Sequence, residues 1–233
     1  MQFDVNLFLG SLFSWPFFQG ALVTIALSAA SHAVGIVLGL GVALASGSHR
    51  RWPRAVARFY VWLFRGTPVL LLLLFVWNAL PQMLPVFRES WFTPFLAAWL
   101  ALSLSETAYQ SEINRAALLS VDDGQRAAAA ALGLTRTQAF FLVVLPQCLR
   151  VAVPPTVNEF ITLLKTTSLA SVISLQELLA VTTRASNVSF RYTEFYAVAL
   201  VYYLVIVSLL MFGQTHLERR FTPGGSRIRL DHE

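Results

Sequence analysis

Residues 20–45 carry no Asp, Glu, Lys or Arg. At about 1.5 Å of rise per residue, a helix over that run exceeds the roughly 30 Å hydrocarbon thickness of a bilayer. Four further apolar stretches follow, at 68–87, 91–108, 151–172 and 195–217. Thr67 is suited to cap the second and Pro68 to open it, because the first helical position needs no N–H partner. Pro81 is expected to bend it. Between 52 and 65 the pattern changes: Val56, Phe59, Tyr60 and Leu63 alternate with arginines at helical spacing. That arrangement predicts an interfacial helix leading into the second span. The hydrophobic pattern therefore predicts an all-α integral membrane bundle of five transmembrane helices over 20–217. An extracytoplasmic segment 1–19 precedes it, a cytoplasmic loop 109–150 interrupts it, and a cytoplasmic tail 218–233 follows.

Composition agrees with a membrane class, since 56% of the 233 residues are hydrophobic and only 12% charged. The formal charge of +5 raises nucleic acid as a partner, but the placement of the cations removes it. With the N-terminus outside, thirteen arginines fall on the cytoplasmic side: Arg50, Arg51, Arg54, Arg58, Arg65, Arg115, Arg126, Arg136, Arg150, Arg219, Arg220, Arg227 and Arg229. Arg88, Arg184 and Arg191 fall outside. Retention of cations in the cytoplasm fixes an N-out, C-in topology, consistent with an odd number of spans. No Lys or Arg precedes Arg50, so no cleaved signal is expected and Met1 reads as the start. Cys148, the single cysteine, excludes an internal disulfide framework.

The loop holds the run GQRAAAAALGL, from Gly124 to Leu134. Asp122 or Asp123 can cap a helix start and Gly133 suits a left-handed C-terminal position, which places a two-turn helix over 125–132. Alone in water such a helix is marginal, so it needs a surface to dock on. Its alanines let a partner approach the backbone closely. The bland reading is a mere connector; the sharper one is a plug for a partner's groove. A second helix over 135–145, ending at Pro146, would pack the first against the bundle through Phe140, Phe141 and Val144.

Candidate chemistry is sparse. A phosphate-binding loop needs Gly-Lys-Ser/Thr, and the one lysine, Lys165, follows Leu164. No H-E-x-x-H pair or G-x-S-x-G elbow occurs, and His32, His49, His216 and His232 are scattered, so neither a metal site nor a catalytic constellation is expected. His32 reads as a contact within the bundle. Ionisable groups inside a membrane are costly and point to function. Glu159 faces either the pathway or a neighbouring helix, with Asn158 beside it. Lys165, six residues on, lies too far round a helix to pair with Glu159. With Thr166, Thr167 and Ser168 after it, Lys165 is expected to mark the point where the helix opens, its ammonium held by carbonyls. Glu106 is expected within reach of water, and Arg65 at lipid phosphate or a helix end.

The alanine-rich loop resembles the EAA loop of bacterial ABC importer permeases. Four further stretches resemble permeases of the polar amino acid importers, the histidine, glutamine and glutamate type: RGTP from Arg65, AYQSEINRAAL from Ala108, LPQCLRVAVPPTVNEFI from Leu145 and KTTSLASVISLQEL from Lys165. The closing LERR, Leu217 to Arg220, completes the resemblance over nearly the whole chain. Three positions depart from the family pattern: Ala127 at the motif's Glu, Leu72 where many relatives have Gln, and Thr166 at the usual Asp. The resemblance implies a type I importer fold, with the loop as the coupling helix that seats in an ATPase subunit through Gly124, Gln125, Ala128, Ala129, Leu132 and Gly133. It implies a permease of the bacterial inner membrane, not itself an enzyme, with no cofactor of its own. ATP and Mg would be bound by two cytoplasmic ATPase subunits. A second permease subunit, identical or paralogous, and an extracytoplasmic solute-binding protein complete the partners. Five helices are too few to enclose an amino-acid-sized path, so the pore is expected between the two permeases. Glu106, Asn158, Glu159, Lys165, Thr167 and Ser168 are the pathway or gate candidates. Rival readings are a permease for an opine or a cystine-like solute, a membrane-embedded enzyme, and a self-contained channel.

Overall fold

Apolar backbone can cross a bilayer only when its own N–H and C=O groups pair along the segment, and the chain answers with helices. The computed structural model describes residues 3–221, with side chains to 218. No strand occurs among the described residues. Helix α1 is Val5–Leu12 and α2 is Trp15–Ser46. Helix α3, Arg51–Gly66, meets α4, Val69–Met83, at a bend of 101°. Helix α5 is Pro94–Leu119, α6 is Asp123–Ala131 and α7 is Arg136–Ile173. Helices α8, Leu178–Ser189, and α9, Tyr192–Phe221, complete the order. Arg227 and Arg229 lie outside the described residues, as do the side chains of Arg219 and Arg220.

By length and hydropathy, α2, α7 and α9 are each able to cross a membrane, and the bent pair α3–α4 adds a fourth. Helix α5 is 26 residues long and falls short in hydropathy only. Ser103, Glu106, Thr107, Gln110 and Ser111 dilute its average, and all five are buried. A polar stripe hidden against another helix costs the lipid nothing, so α5 is the third span despite its composition. It begins at Pro94, behind the Thr93 cap whose Oγ1 accepts from Leu96 N at 3.3 Å, rather than at Trp91.

The seam between α2 and α5 is the main packing surface. Gly35 and Gly39 sit one turn apart on α2, over Glu106 and Gln110 of α5. A Cβ on Gly35 would overlap the Glu106 Cγ and lie 3.3 Å from that residue's backbone carbon. Small residues at such a seam let two helices approach to backbone contact, which is how helices associate where lipid removes the hydrophobic drive. Gly35→Ala is expected to cost about 1–3 kcal/mol by overpacking, read as a lowered unfolding temperature in detergent. The apolar core joins α2, α4, α5 and α7 around Leu27, Leu73, Ala101, Leu102, Leu163 and Ile173. A second cluster clamps α1 and the start of α2 to α8 and α9 through Phe17, Leu178, Phe195 and Val198.

Several local expectations change. Thr67 does not cap α4; its Oγ1 donates to Leu63 O at 2.7 Å and closes α3, and Pro68 is the cap residue of α4. Helix α4 stops at Met83, and a 3₁₀ turn, Pro85–Arg88, follows. Neither Pro81 nor Pro146 ends its helix where it stands. Each is preceded by a wide π turn, Phe75–Ala79 and Phe140–Val144. A proline lacks the N–H and crowds the carbonyl four residues back, and a π turn absorbs both faults by shifting the pairing one residue. The predicted helix 135–145 is therefore only the first part of α7. Within it Phe140 is half-buried and Val144 buried, whereas Phe141 faces outward. The N-terminal segment is also more ordered than its polar punctuation suggests: α1 is capped by Asp4, and the first span starts at Trp15, five residues before the apolar run.

Candidate functional site

Helix α6 is held at both ends by local chemistry. Asp122 Oδ1 accepts from Gly124 N at 2.7 Å. At the other end Gly133 has φ 77°, Leu134 N donates to Ala129 O at 3.1 Å and Gly133 N donates to Ala130 O at 3.0 Å. That pair of bonds is the Schellman termination, which needs a left-handed residue and so favours glycine. Gly124, Gln125, Ala128, Leu132 and Gly133 are all exposed. Leu132 is 81% exposed, an apolar side chain presented to whatever lies beyond. Ala129 does not share that face: it is 3% exposed and turned against the bundle. The reason is register, since only one position in each turn of so short a helix can face inward. The outward Ala127 at the motif's acidic position leaves this face without a carboxylate there. A capping box at Thr135 and Gln138 then starts α7 and fixes the exit from the loop.

Deep in the bundle, His32 Nδ1 of α2 lies 2.8 Å from Glu106 Oε1 of α5. The two side chains are 10% and 2% exposed, and the Phe160 ring lies with its centroid 5.1 Å from that of the imidazole, tilted by 49°. Glu106 is thus buried and paired, 2% exposed rather than within reach of bulk water as its position toward the end of a span suggested. His32 is the bundle contact expected of it. Glu106 and Glu159 line one cavity of about 170 Å³, with Ser105, Tyr109, Thr162 and Thr166. Of the pathway candidates, only these two carboxylates are brought together. Asn158 is exposed, and Thr167 is buried with its Oγ1 donating to Leu164 O at 2.7 Å. Ser168 is half-buried and donates to Lys165 O at 2.7 Å. Lys165 itself is exposed, and no carbonyl or carboxylate holds its ammonium among the described residues. At this point the helix tightens to a 3₁₀ segment, Thr167–Ile173, rather than opening. Thr166 lines the cavity, whereas Leu72 belongs to the apolar core. Arg65 stands 3.8 Å from Glu112 Oε2 and over the Tyr109 ring, with its side chain 45% exposed.

Two buried acids escaped sequence reasoning, Glu177 and Glu194; the latter accepts from Asp4 N at 3.1 Å. Glu177 is fully buried before α8, where it accepts from Ala180 N at 2.7 Å and Leu179 N at 3.0 Å. Thr24 Oγ1 in turn accepts from Leu178 N at 3.2 Å, and Tyr203 OH donates to Glu177 Oε2 at 3.4 Å, so α2, α8 and α9 meet at this carboxylate. The available signal was its position just ahead of the apolar run LLAV, where a cap belongs. Glu177→Ala is expected to cost about 2 kcal/mol, a cap plus buried partners left unmade. Thermal unfolding checks this, with Glu177→Gln falling between the two.

Residues 35–223 match the family described as binding-protein-dependent transport system inner membrane component. The arginine transport system permease protein ArgU of Corynebacterium glutamicum is 36% identical over 228 residues, covering 93% of this chain and 71% of its own. The octopine transport system permease protein OccM of Rhizobium radiobacter is 37% identical, covering 94% and 92%. The glutamine transport system permease protein GlnP of Escherichia coli is 34% identical, covering 94% and 98%. A crystal structure of an amino acid ABC transporter with histidines superposes with TM-score 0.84 at 32% identity, over 94% of this chain and all of that one. The chain belongs to the family of inner membrane components of binding-protein-dependent transport systems. It is accordingly a multi-pass permease subunit of an ABC importer, a transport component and not itself a catalyst.

Proposed function

We propose that the chain is the permease of an ATP-driven importer that takes a polar amino acid from an extracytoplasmic binding protein into the cytoplasm. Two permease subunits, identical or paralogous, face each other across a two-fold axis, and two cytoplasmic subunits bind ATP and Mg. The N-terminus lies outside and the C-terminus inside, as the arginine distribution favours. The observation that carries the reading is α6: a nine-residue helix, capped at both ends, with an exposed small-residue face and Leu132 extended beyond it. A helix of that length gains stability from a partner's groove, and a groove in an ATPase subunit supplies the energy source absent from this sequence. ATP closes the paired ATPase subunits, the two α6 helices move together, and the bundle turns from inward to outward opening. Hydrolysis resets it.

The Glu106–Glu159 cavity supports a place for the substrate's ammonium group along the path, with Asn158, Lys165, Thr167 and Ser168 nearer its ends. The relatives' names give arginine, octopine and glutamine, and a shared amino acid moiety is what such a carboxylate pair suits. The test is the ATPase rate of the reconstituted four-subunit complex, stimulated by binding protein loaded with each member of a panel. Stimulation by a polar amino acid is the expected result. Stimulation only by an opine or cystine replaces the substrate; solute flux through the chain without ATP, or chemistry by the purified chain alone, overturns the function.

A further inference from the structure

Behind the coupling helix lies an apolar slot of about 540 Å³ with a basic rim. Its walls are the end of α2 (Ala43, Leu44), the end of α5 (Leu118, Leu119) and the start of α7 (Ala139, Phe140). Arg115, Arg126 and Arg136 stand around it, and no carboxylate lines it. Arg115 is engaged by Glu112 at 2.7 Å and Arg126 by Asp123 at 3.4 Å, both acids outside the lining. The Arg136 guanidinium has no hydrogen bond or ion pair among the described residues, and the residue is exposed. Leu44 and Leu119 are 48% and 71% exposed, so apolar surface continues out of the slot. Arg126 and Ala130 share one flank of α6, each two residues and so about 160° round the helix from the outward Ala128 and Leu132. The slot is therefore not the face offered to the ATPase subunit.

We propose that this slot holds one anionic phospholipid of the cytoplasmic leaflet, its acyl chain along Leu44, Leu118 and Leu119 and its phosphate at Arg136 and Arg126. The assignment rests on the N-out topology above, which puts the ends of α2 and α5 at cytoplasmic headgroup depth. Guanidinium groups pair with phosphate oxygens in two-pronged geometry, and an apolar wall beside them excludes a freely soluble anion as the best occupant. Because the phosphate site includes α6 and the chain site includes α2 and α5, the lipid ties the coupling helix to the spans it must move. The slot is thus a place where leaflet composition acts on coupling.

The test uses the assembled complex in nanodiscs of equal phosphatidylglycerol and phosphatidylcholine, with retained lipids identified by mass spectrometry after exchange into detergent. Wild type is expected to retain phosphatidylglycerol preferentially, and Arg136→Gln to lose about fivefold of that preference, the worth of one juxtamembrane cation. Ala139→Trp, which fills the slot and leaves the rim charges in place, is expected to reduce retention of lipid altogether. ATPase stimulation by loaded binding protein is measured on the same samples. Stimulation with no lipid preference overturns the lipid site and leaves the transport reading standing; absence of stimulation in every wild-type sample strikes the transport reading instead. An unchanged preference in Arg136→Gln, or displacement of the lipid by soluble glycerol phosphate, overturns the proposal. So does a crosslink from Leu119→Cys to a second copy of the chain.

Discussion

Gly133→Asp is expected to leave the permease inserted and assembled yet cut substrate-stimulated ATPase activity and uptake at least tenfold. The left-handed φ of 77° there costs an ordinary L-residue about 1–2 kcal/mol; Asp, like Asn, pays less than that, so the charge of Asp sets the two apart. Helix α6 has nine residues and one buried side chain, Ala129, so it holds no reserve against that loss. The added carboxylate also stands at the negative end of the helix dipole, which compounds the penalty. Asparagine tolerates the left-handed region, so Gly133→Asn is expected to retain most of the activity. Co-purification with the ATPase subunits reports assembly, and the stimulated rate reports coupling. Equal uptake by wild type and Gly133→Asp would remove α6 from the mechanism.

His32→Ala is expected to destabilise the bundle by about 3–5 kcal/mol, because it leaves the Glu106 carboxyl buried without its partner. The drop is measured as a lower unfolding temperature in detergent and reduced yield from membranes. His32→Ala combined with Glu106→Gln is expected to recover much of the loss, since a neutral amide is cheaper to bury than a lone carboxylate. Recovery of stability without recovery of uptake would separate a structural pair from one that also serves the pathway. A full-strength His32→Ala protein would mean that the 2.8 Å contact contributes nothing.

The sequence made some parts of this molecule plain for reasons that can be stated residue by residue. Spans one and five are uninterrupted apolar runs, and their helices extend past the predicted bounds by only a few residues. Helix α6 was readable because its ends carry their own instructions, Asp122 for the start and Gly133 for the finish. Helix α5 was cut short at Ala108 because the segment 109–150, with four arginines and three acids, reads as a cytoplasmic loop, whereas the helix runs on to Leu119 with Gln110 and Ser111 buried. The His32–Glu106 pair joins positions 74 residues apart, and no local pattern announces which buried imidazole meets which acid. Pro146 misled: it looks like a break, but the π turn before it carries the helix onward, and a π turn likewise precedes Pro81, which was expected only to bend its span. Glu177 hid for the opposite reason, as a lone acid between two apolar stretches that reads as a loop charge until three helices close over it.

The glycines of α2 also constrain how the molecule can move. With Gly35 and Gly39 letting two backbones touch over Glu106 and Gln110, the first and third spans are mated like the halves of a dovetail joint and slide or tilt only as one plate. Any swing between inward and outward shapes must then be borne at the corners, where α3 turns sharply into α4 and where Ser174, at φ 66°, reverses the chain after α7.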